Sequence, residues 1–77
     1  MFGERLKEAR KSYGITQEEL AKRIGVHVSM IAQMERGTKQ ASPPLIADIA
    51  TELGCSLDFL IFGKKPQLEY MHKKVFQ

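Results

Sequence analysis

Residues 27–36 carry side chains that could hydrogen-bond to, and pack against, the edges of nucleic-acid bases. Four of them recur at i, i+3, i+4 and i+7, the spacing of one helical face: Ser29, Ala32, Gln33 and Arg36. The Gln33 amide offers a donor and an acceptor together, the pair that matches an adenine edge, and Ser29 can donate or accept. Val28 and Ala32 could touch thymine methyl groups, and His27 could reach a base or a phosphate. The alternatives are the solvated face of an amphipathic helix and, for His27, a surface histidine with no role.

Two short helices joined by a tight turn would hold this face in place. Thr16 and Glu19 have the spacing of a capping box, in which the Thr16 hydroxyl accepts from the Glu19 amide and the Glu19 carboxylate reaches back to the Thr16 amide. Gly25 can adopt positive φ and end the first helix, and Val26 follows as the apolar residue of the turn. The second helix should end at Gly37. Its inward face carries two apolar residues: Ile31 and Met34.

This stretch resembles the helix-turn-helix of the lambda-repressor-like family, the Cro/CI type that is also called XRE. Four features in register carry the resemblance: Gln17, Ala21, Gly25-Val26 and Glu35-Arg36-Gly37. The similarity extends over about residues 2–63 and does not cover the last residues. It implies that double-stranded DNA is the partner and that residues 28–36 form the recognition helix. His27 departs from the Ser or Thr that the family usually has at this N-cap, and it should be a poorer cap.

The resemblance also implies residues that would contact the phosphates. In the family the Gln that matches Gln17 contacts the DNA backbone, and the amides and dipole at the start of a helix favour an anion. Further phosphate candidates lie at the end of the recognition helix and just after it: Arg36, Thr38, Lys39 and Gln40. Arg5 and Lys7 are expected to add long-range attraction only.

A structural ion pair is implied in the same way. An Arg at the position of Arg10 commonly pairs in the family with the Glu that maps to Glu35. We therefore expect a partly buried Arg10–Glu35 ion pair. The alternative is that Arg10 is solvated on a surface helix and has no partner. Removal of one partner from a buried pair would be strongly destabilising.

The remaining pattern indicates three further helices. Apolar and aromatic residues recur at i, i+4, i+7 and i+11 near the N-terminus: Phe2, Leu6, Ala9 and Tyr13. Ser42 is expected to cap a helix that starts with Pro43 and ends before Gly54, and Ser56 to cap a short fifth helix. The sequence therefore predicts an all-α, compact five-helix DNA-binding domain over residues 1–63, with helices at 2–13, 17–24 and 28–36 among them, and a C-terminal tail over residues 64–77.

Apolar residues near the C-terminus favour a homodimer. Related repressors pair through their fourth and fifth helices, and one helix-turn-helix contacts too few base pairs for specificity. The predicted interface residues lie in the fifth helix and the tail: Leu57, Phe59, Ile61, Phe62, Leu68, Met71, Val75 and Phe76. The alternative is that those of the fifth helix fill the domain's own core.

The composition permits this function without requiring it. The 77 residues carry a formal charge of +3, a mild excess that suits a nucleic-acid partner and an ordinary soluble domain equally well. A single cysteine excludes an internal disulfide and suits the cytoplasm, and no apolar run has membrane length. His27, Cys55 and His72 are scattered, so no metal or other cofactor is expected. Without a Gly-rich phosphate loop or a nucleophile–base pair, no catalytic residue is predicted.

Two hypotheses of different classes follow. The first is a homodimeric, sequence-specific transcriptional regulator on a pseudo-palindromic operator, acting as a repressor, with activation left open. The second is an antitoxin or similar module whose main partner is a protein. Residues 64–77 discriminate them, because a tail that orders only on a partner would favour the second.

Overall fold

The computed structural model describes residues 1–63, and this part of the chain forms five α-helices and no strand. The helices are α1 (Phe2–Tyr13), α2 (Gln17–Ile24), α3 (Val28–Arg36), α4 (Pro43–Leu53) and α5 (Leu57–Phe62). The prediction of an all-α, five-helix domain is confirmed. Four predicted interface residues and one histidine lie outside the described residues: Leu68, Met71, Val75, Phe76 and His72.

The start of α2 follows one half of the predicted capping box. The Thr16 Oγ1 accepts a hydrogen bond from the Glu19 backbone N–H at 3.0 Å. The predicted return bond from the Glu19 carboxylate is wrong, because that carboxylate instead accepts from Arg23 Nη2 at 3.1 Å, one turn further along α2. An i,i+4 ion pair on the helix surface has replaced the reciprocal cap.

The start of α4 differs from the prediction for Ser42. Ser42 occupies the N-cap position, but its side chain makes no capping hydrogen bond. Pro43 and Pro44 fill the first two helical positions and have no N–H group, so two of the first N–H groups that would lack an intrahelical partner do not exist. The prolines, with φ fixed near its helical value, begin this helix in place of a side-chain cap.

A glycine in the left-handed conformation separates α2 from α3. Gly25 has a φ of 75°, a conformation that strains residues with a Cβ atom. The next N–H, that of Val26, donates to Ala21 O at 3.0 Å and satisfies a carbonyl at the end of α2. The chain therefore turns within three residues, and α3 packs against α2.

Each helix contributes at least one fully buried side chain to a single core. Those side chains are Leu6, Leu20, Ile31, Met34, Ile49 and Leu60. Because α3 directs both Ile31 and Met34 into this core, the opposite side of α3 faces outward. The rotation of α3 about its own axis, and so the set of its residues that faces outward, thus depends on a hydrophobic core to which all five helices contribute.

Packing of α5 corrects one part of the predicted dimer interface. Phe59 is only 7% exposed and belongs to the core, so its side chain is not available to a second subunit and it leaves the set. Leu57, Ile61 and Phe62 are 45, 44 and 68% exposed. These three residues, here called the α5 apolar face, stay candidates for an interface.

Close backbone contact joins the start of α1 to the end of α3. Gly3 is buried, and a Cβ atom at this position would lie 2.5 Å from Met34 O and 2.6 Å from Glu35 O. Both neighbours are main-chain atoms of α3, so neither can rotate away. Only glycine allows α1 to approach the recognition helix this closely.

Candidate nucleic-acid interface

The outward side of α3 carries the residues predicted to contact bases. Ser29 is exposed, and Ala32 and Gln33 are half-buried beside it. Val28 is also half-buried and packs against the core, which leaves only part of its side chain for a thymine methyl group. The structure therefore brings the predicted base contacts together on one surface. Their contacts with DNA remain predictions.

His27 caps the start of α3, and its rank below Ser or Thr as a cap stays a prediction. Its Nδ1 accepts a hydrogen bond from the Ser29 backbone N–H at 3.1 Å, and Ser29 Oγ lies 2.9 Å from the same nitrogen. The ring nitrogen thus does what a serine or threonine oxygen does at this position. His27 and Ser29 are both exposed at the start of the candidate recognition helix.

A buried hydrogen-bonded group supports α2 and α3 from behind. Arg10 Nε and Nη2 lie 2.6 Å from Glu35 Oε2 and 3.1 Å from Glu35 Oε1, and the two side chains are 9% and 3% exposed. Arg10 Nη1 also donates to Ile15 O at 2.9 Å. This bidentate pair ties α1 to α3 and fixes the residue before the α2 cap.

Gln17 extends the same group toward the surface. Its Nε2 donates to Glu35 Oε1 at 3.0 Å, and the side chain is half-buried at the start of α2. One amide hydrogen is used by Glu35, which leaves the second hydrogen and the backbone N–H for an anion. The structure thus positions Gln17, by way of Glu35, as a donor at a helix N-terminus, where a phosphate contact is predicted.

The end of α3 and the loop after it carry the other phosphate candidates, all of them exposed. Arg36, Lys39 and Gln40 are exposed. Thr38 is exposed too, but its N–H and its hydroxyl both donate to Gln33 O, at 3.0 and 3.2 Å. A phosphate contact from Thr38 would have to break one of these bonds, so Thr38 is a weaker candidate than the sequence suggested.

The sequence did not anticipate the role of Arg5. Its Nε donates to Leu60 O at 2.9 Å and its Nη2 to Ile61 O at 2.7 Å. The guanidinium therefore caps the carbonyl end of α5, and the expectation that Arg5 supplies only long-range attraction is wrong. The carbonyl groups at the end of a short helix lack intrahelical partners, which indicates that some hydrogen-bond donor lies near them. The sequence could not show which side chain supplies it.

We expect replacement of Arg5 with Met to lower the free energy of unfolding by about 1–2 kcal/mol, because two charge-assisted hydrogen bonds are lost while the aliphatic stem is kept. Urea unfolding would measure the change. The exposed Lys7, changed to Met on the same helix, is the matched control and should shift stability by no more than about 0.5 kcal/mol. Equal effects of the two variants would contradict the capping role.

The described residues hold no cluster of three or more metal-ligating side chains. Cys55 is half-buried against the core, and burial raises the pKa of its thiol above the ordinary value. Within residues 1–63, no helix combines the length and hydropathy needed to cross a membrane.

Comparison with known proteins identifies the family to which this arrangement of helices belongs. A family model described as helix-turn-helix matches residues 6–60. YazB of Bacillus subtilis (strain 168), an uncharacterized HTH-type transcriptional regulator, is 40% identical over 60 residues, which cover 78% of this chain and 87% of YazB.

Two solved structures share the fold and part of the sequence. The P22 c2 repressor protein, crystallised in complex with a synthetic operator, aligns with a TM-score of 0.78 and 33% identity, covering 83% of this chain and 97% of that one. The restriction-modification controller protein C.AhdI from Aeromonas hydrophila aligns with a TM-score of 0.73 and 37% identity, covering 78% and 91%. The chain belongs to the helix-turn-helix family of lambda-repressor-like transcriptional regulators, the Cro/CI or XRE type.

Proposed function

We propose that the protein is a homodimeric, sequence-specific DNA-binding repressor that recognises a pseudo-palindromic operator. The observation that carries this proposal is the exposed face of α3, on which Ser29, Ala32 and Gln33 lie together while Ile31 and Met34 hold the helix in the core. The likeness to the P22 c2 repressor, whose structure was solved with an operator, supports it.

In this proposal α3 lies in the major groove and its polar face reads the base edges. Gln33 would bond an adenine through the carbonyl oxygen and the NH2 of its side-chain amide, with Ala32 and Val28 near thymine methyl groups. Gln17, Arg36, Lys39 and Gln40 would bind phosphates on either side and fix the register of α3. Repression follows by occlusion when the operator overlaps a promoter.

A second copy would supply the second half-site. Two helix-turn-helix units about 34–36 Å apart face successive major grooves on one side of the duplex. The α5 apolar face is a candidate surface for such pairing, because its three large apolar side chains are exposed on one short helix. A dimer built on this surface would place the two recognition helices in symmetric positions.

We expect Gln33→Ala to weaken operator binding by about 1–3 kcal/mol and to relax selectivity at one base-pair position in each half-site. The matched control is Lys39→Ala, which removes a phosphate contact and should weaken binding equally on operator and random DNA. Fluorescence anisotropy on both duplexes measures this. Equal losses for Gln33→Ala on operator and random DNA would contradict a base-reading role.

The salt dependence of DNA affinity distinguishes the roles proposed for Gln33 and Lys39. Affinity should fall by about 0.9 log unit per log unit of salt for each phosphate neutralised. Lys39→Ala should reduce this slope by about one such unit, whereas Gln33→Ala should leave it unchanged.

Selection from a random duplex pool, followed by sequencing of the bound fraction, tests the proposal as a whole. Enrichment of a two-fold symmetric site with half-sites about one helical turn apart would support a dimeric repressor. A folded protein that enriches no sequence would contradict it and favour the protein-partner hypothesis.

A further inference from the structure

The hydrogen bonds around His27 determine where its proton lies. The Ser29 backbone N–H, 3.1 Å from His27 Nδ1, can only donate. Nδ1 must therefore present a lone pair, which requires a neutral imidazole with its single proton on Nε2. The N-cap thus selects one of the two tautomers of this ring.

This tautomer in turn fixes the direction of the Ser29 hydroxyl. Ser29 Oγ is 2.9 Å from the same Nδ1. Since Nδ1 carries no proton, a hydrogen bond between the two atoms can be donated only by the hydroxyl, which then shares the single Nδ1 lone pair with the Ser29 N–H. A serine hydroxyl has one hydrogen and two lone pairs, so while it donates to Nδ1, Ser29 Oγ offers only its lone pairs to a further partner.

A serine with a free hydroxyl can face either kind of base edge, because it donates or accepts as needed. An acceptor-only oxygen can bond to the adenine N6 or cytosine N4 amino group, and it meets repulsion from guanine O6 and thymine O4. Both His27 and Ser29 are exposed at the start of α3, at the surface that carries Gln33.

We propose that His27 acts as a specificity-determining residue by holding the Ser29 hydroxyl as an acceptor, so that Ser29 selects an exocyclic amino group in the major groove. This inference rests on the proposed DNA-binding function and adds which chemical group on the DNA one side chain recognises. The His27 Nε2–H, left without a role in the cap, is a donor for a phosphate oxygen or a purine N7.

The first test is the tautomer itself, which does not depend on DNA. Long-range ¹H–¹⁵N spectra of the ¹⁵N-histidine-labelled full chain distinguish a protonated Nε2 from a protonated Nδ1, and His72→Asn assigns the two rings. We expect His27 to be the Nε2–H tautomer at slightly alkaline pH. An Nδ1–H tautomer would overturn the inference.

The second test removes the amino group from the DNA. Selection with the wild type and with Ser29→Ala identifies the base pair that Ser29 contacts. At that position adenine is replaced with purine, or cytosine with 2-pyrimidinone, which lack the amino group. We expect the analogue to weaken wild-type binding about fivefold, the effect of losing one net hydrogen bond. Binding of the Ser29→Ala variant should change no more than when the same analogue is placed at a position that the protein does not contact.

A matched pair of variants tests the part played by His27. His27→Ala leaves the Ser29 hydroxyl free to rotate and should lower the base preference at that position about fivefold. His27→Asn keeps an oxygen acceptor at the cap and should restore the preference. Circular dichroism would verify that both variants are folded.

The outcomes separate this inference from the function on which it rests. Failure of the wild type to enrich any DNA would overturn the proposed function. Two other results would overturn only the role of His27 and Ser29. In the first, the wild type enriches a site, but the analogue without the amino group weakens the wild type and Ser29→Ala equally. In the second, His27→Ala keeps the full base preference at that site.

Discussion

Replacing Arg10 with Met should destabilise the domain by about 3–5 kcal/mol, the effect expected when one partner of a buried ion pair is removed. Glu35, whose side chain is 3% exposed, would keep a buried charge with only Gln17 as a hydrogen-bond donor, and Ile15 O would lose its guanidinium partner. Urea unfolding followed by circular dichroism gives the change in free energy.

The double variant Arg10→Met with Glu35→Leu is the informative control. It removes both charges and leaves apolar side chains in their place, and such replacements of buried pairs are often close to neutral. We expect the double variant to be more stable than Arg10→Met alone. A double variant at least as unstable as the single one would show that the ion pair is not the source of the effect.

Replacing Gly3 with Ala should destabilise the domain by about 1–3 kcal/mol or more, although alanine is the better helix former by about 1 kcal/mol. The new methyl group would lie 2.5 Å from Met34 O and 2.6 Å from Glu35 O, and α1 would have to move away from α3. Thermal and urea unfolding would measure this loss.

Ser12→Ala is the matched control for Gly3→Ala, because Ser12 is an exposed residue of the same helix and should gain slightly from alanine's helix propensity. Since Gly3 contacts the end of α3, Gly3→Ala should also weaken DNA binding in the proposed function, whereas Ser12→Ala should not. A Gly3→Ala variant as stable as the wild type would disprove the close approach.

Local sequence chemistry accounted for the elements and their order. Thr16 at an N-cap and Gly25 at a turn act within a few residues of their own position, so their effects could be predicted without a tertiary structure. The exposed face of α3 followed equally from spacing, because Ile31 and Met34 define its opposite side. Helix periodicity thus gave the exposed face, and the resemblance to the lambda-repressor-like family made it the candidate site.

The contacts that depend on distant parts of the chain could not be predicted in this way. Arg5 caps carbonyls that lie 55 and 56 residues later, and no local pattern indicates such a partner. Gly3 gives no sign in the sequence that a backbone carbonyl of α3 lies above it. The cap bond of His27 could not be predicted from a general ranking of N-caps, because it depends on the ring orientation that brings Nδ1 to the Ser29 N–H.

The hydrogen bonds from Arg5 to α5 also imply that the monomer folds before it could form a dimer. A six-residue helix such as α5 is too short to persist alone, and Arg5 of α1 completes its carbonyl end together with the Gly63 N–H. The α5 apolar face is therefore expected to form on a chain in which α1 and α5 have already met. Association would select folded monomers, and by mass action the apparent stability of the domain should increase with protein concentration.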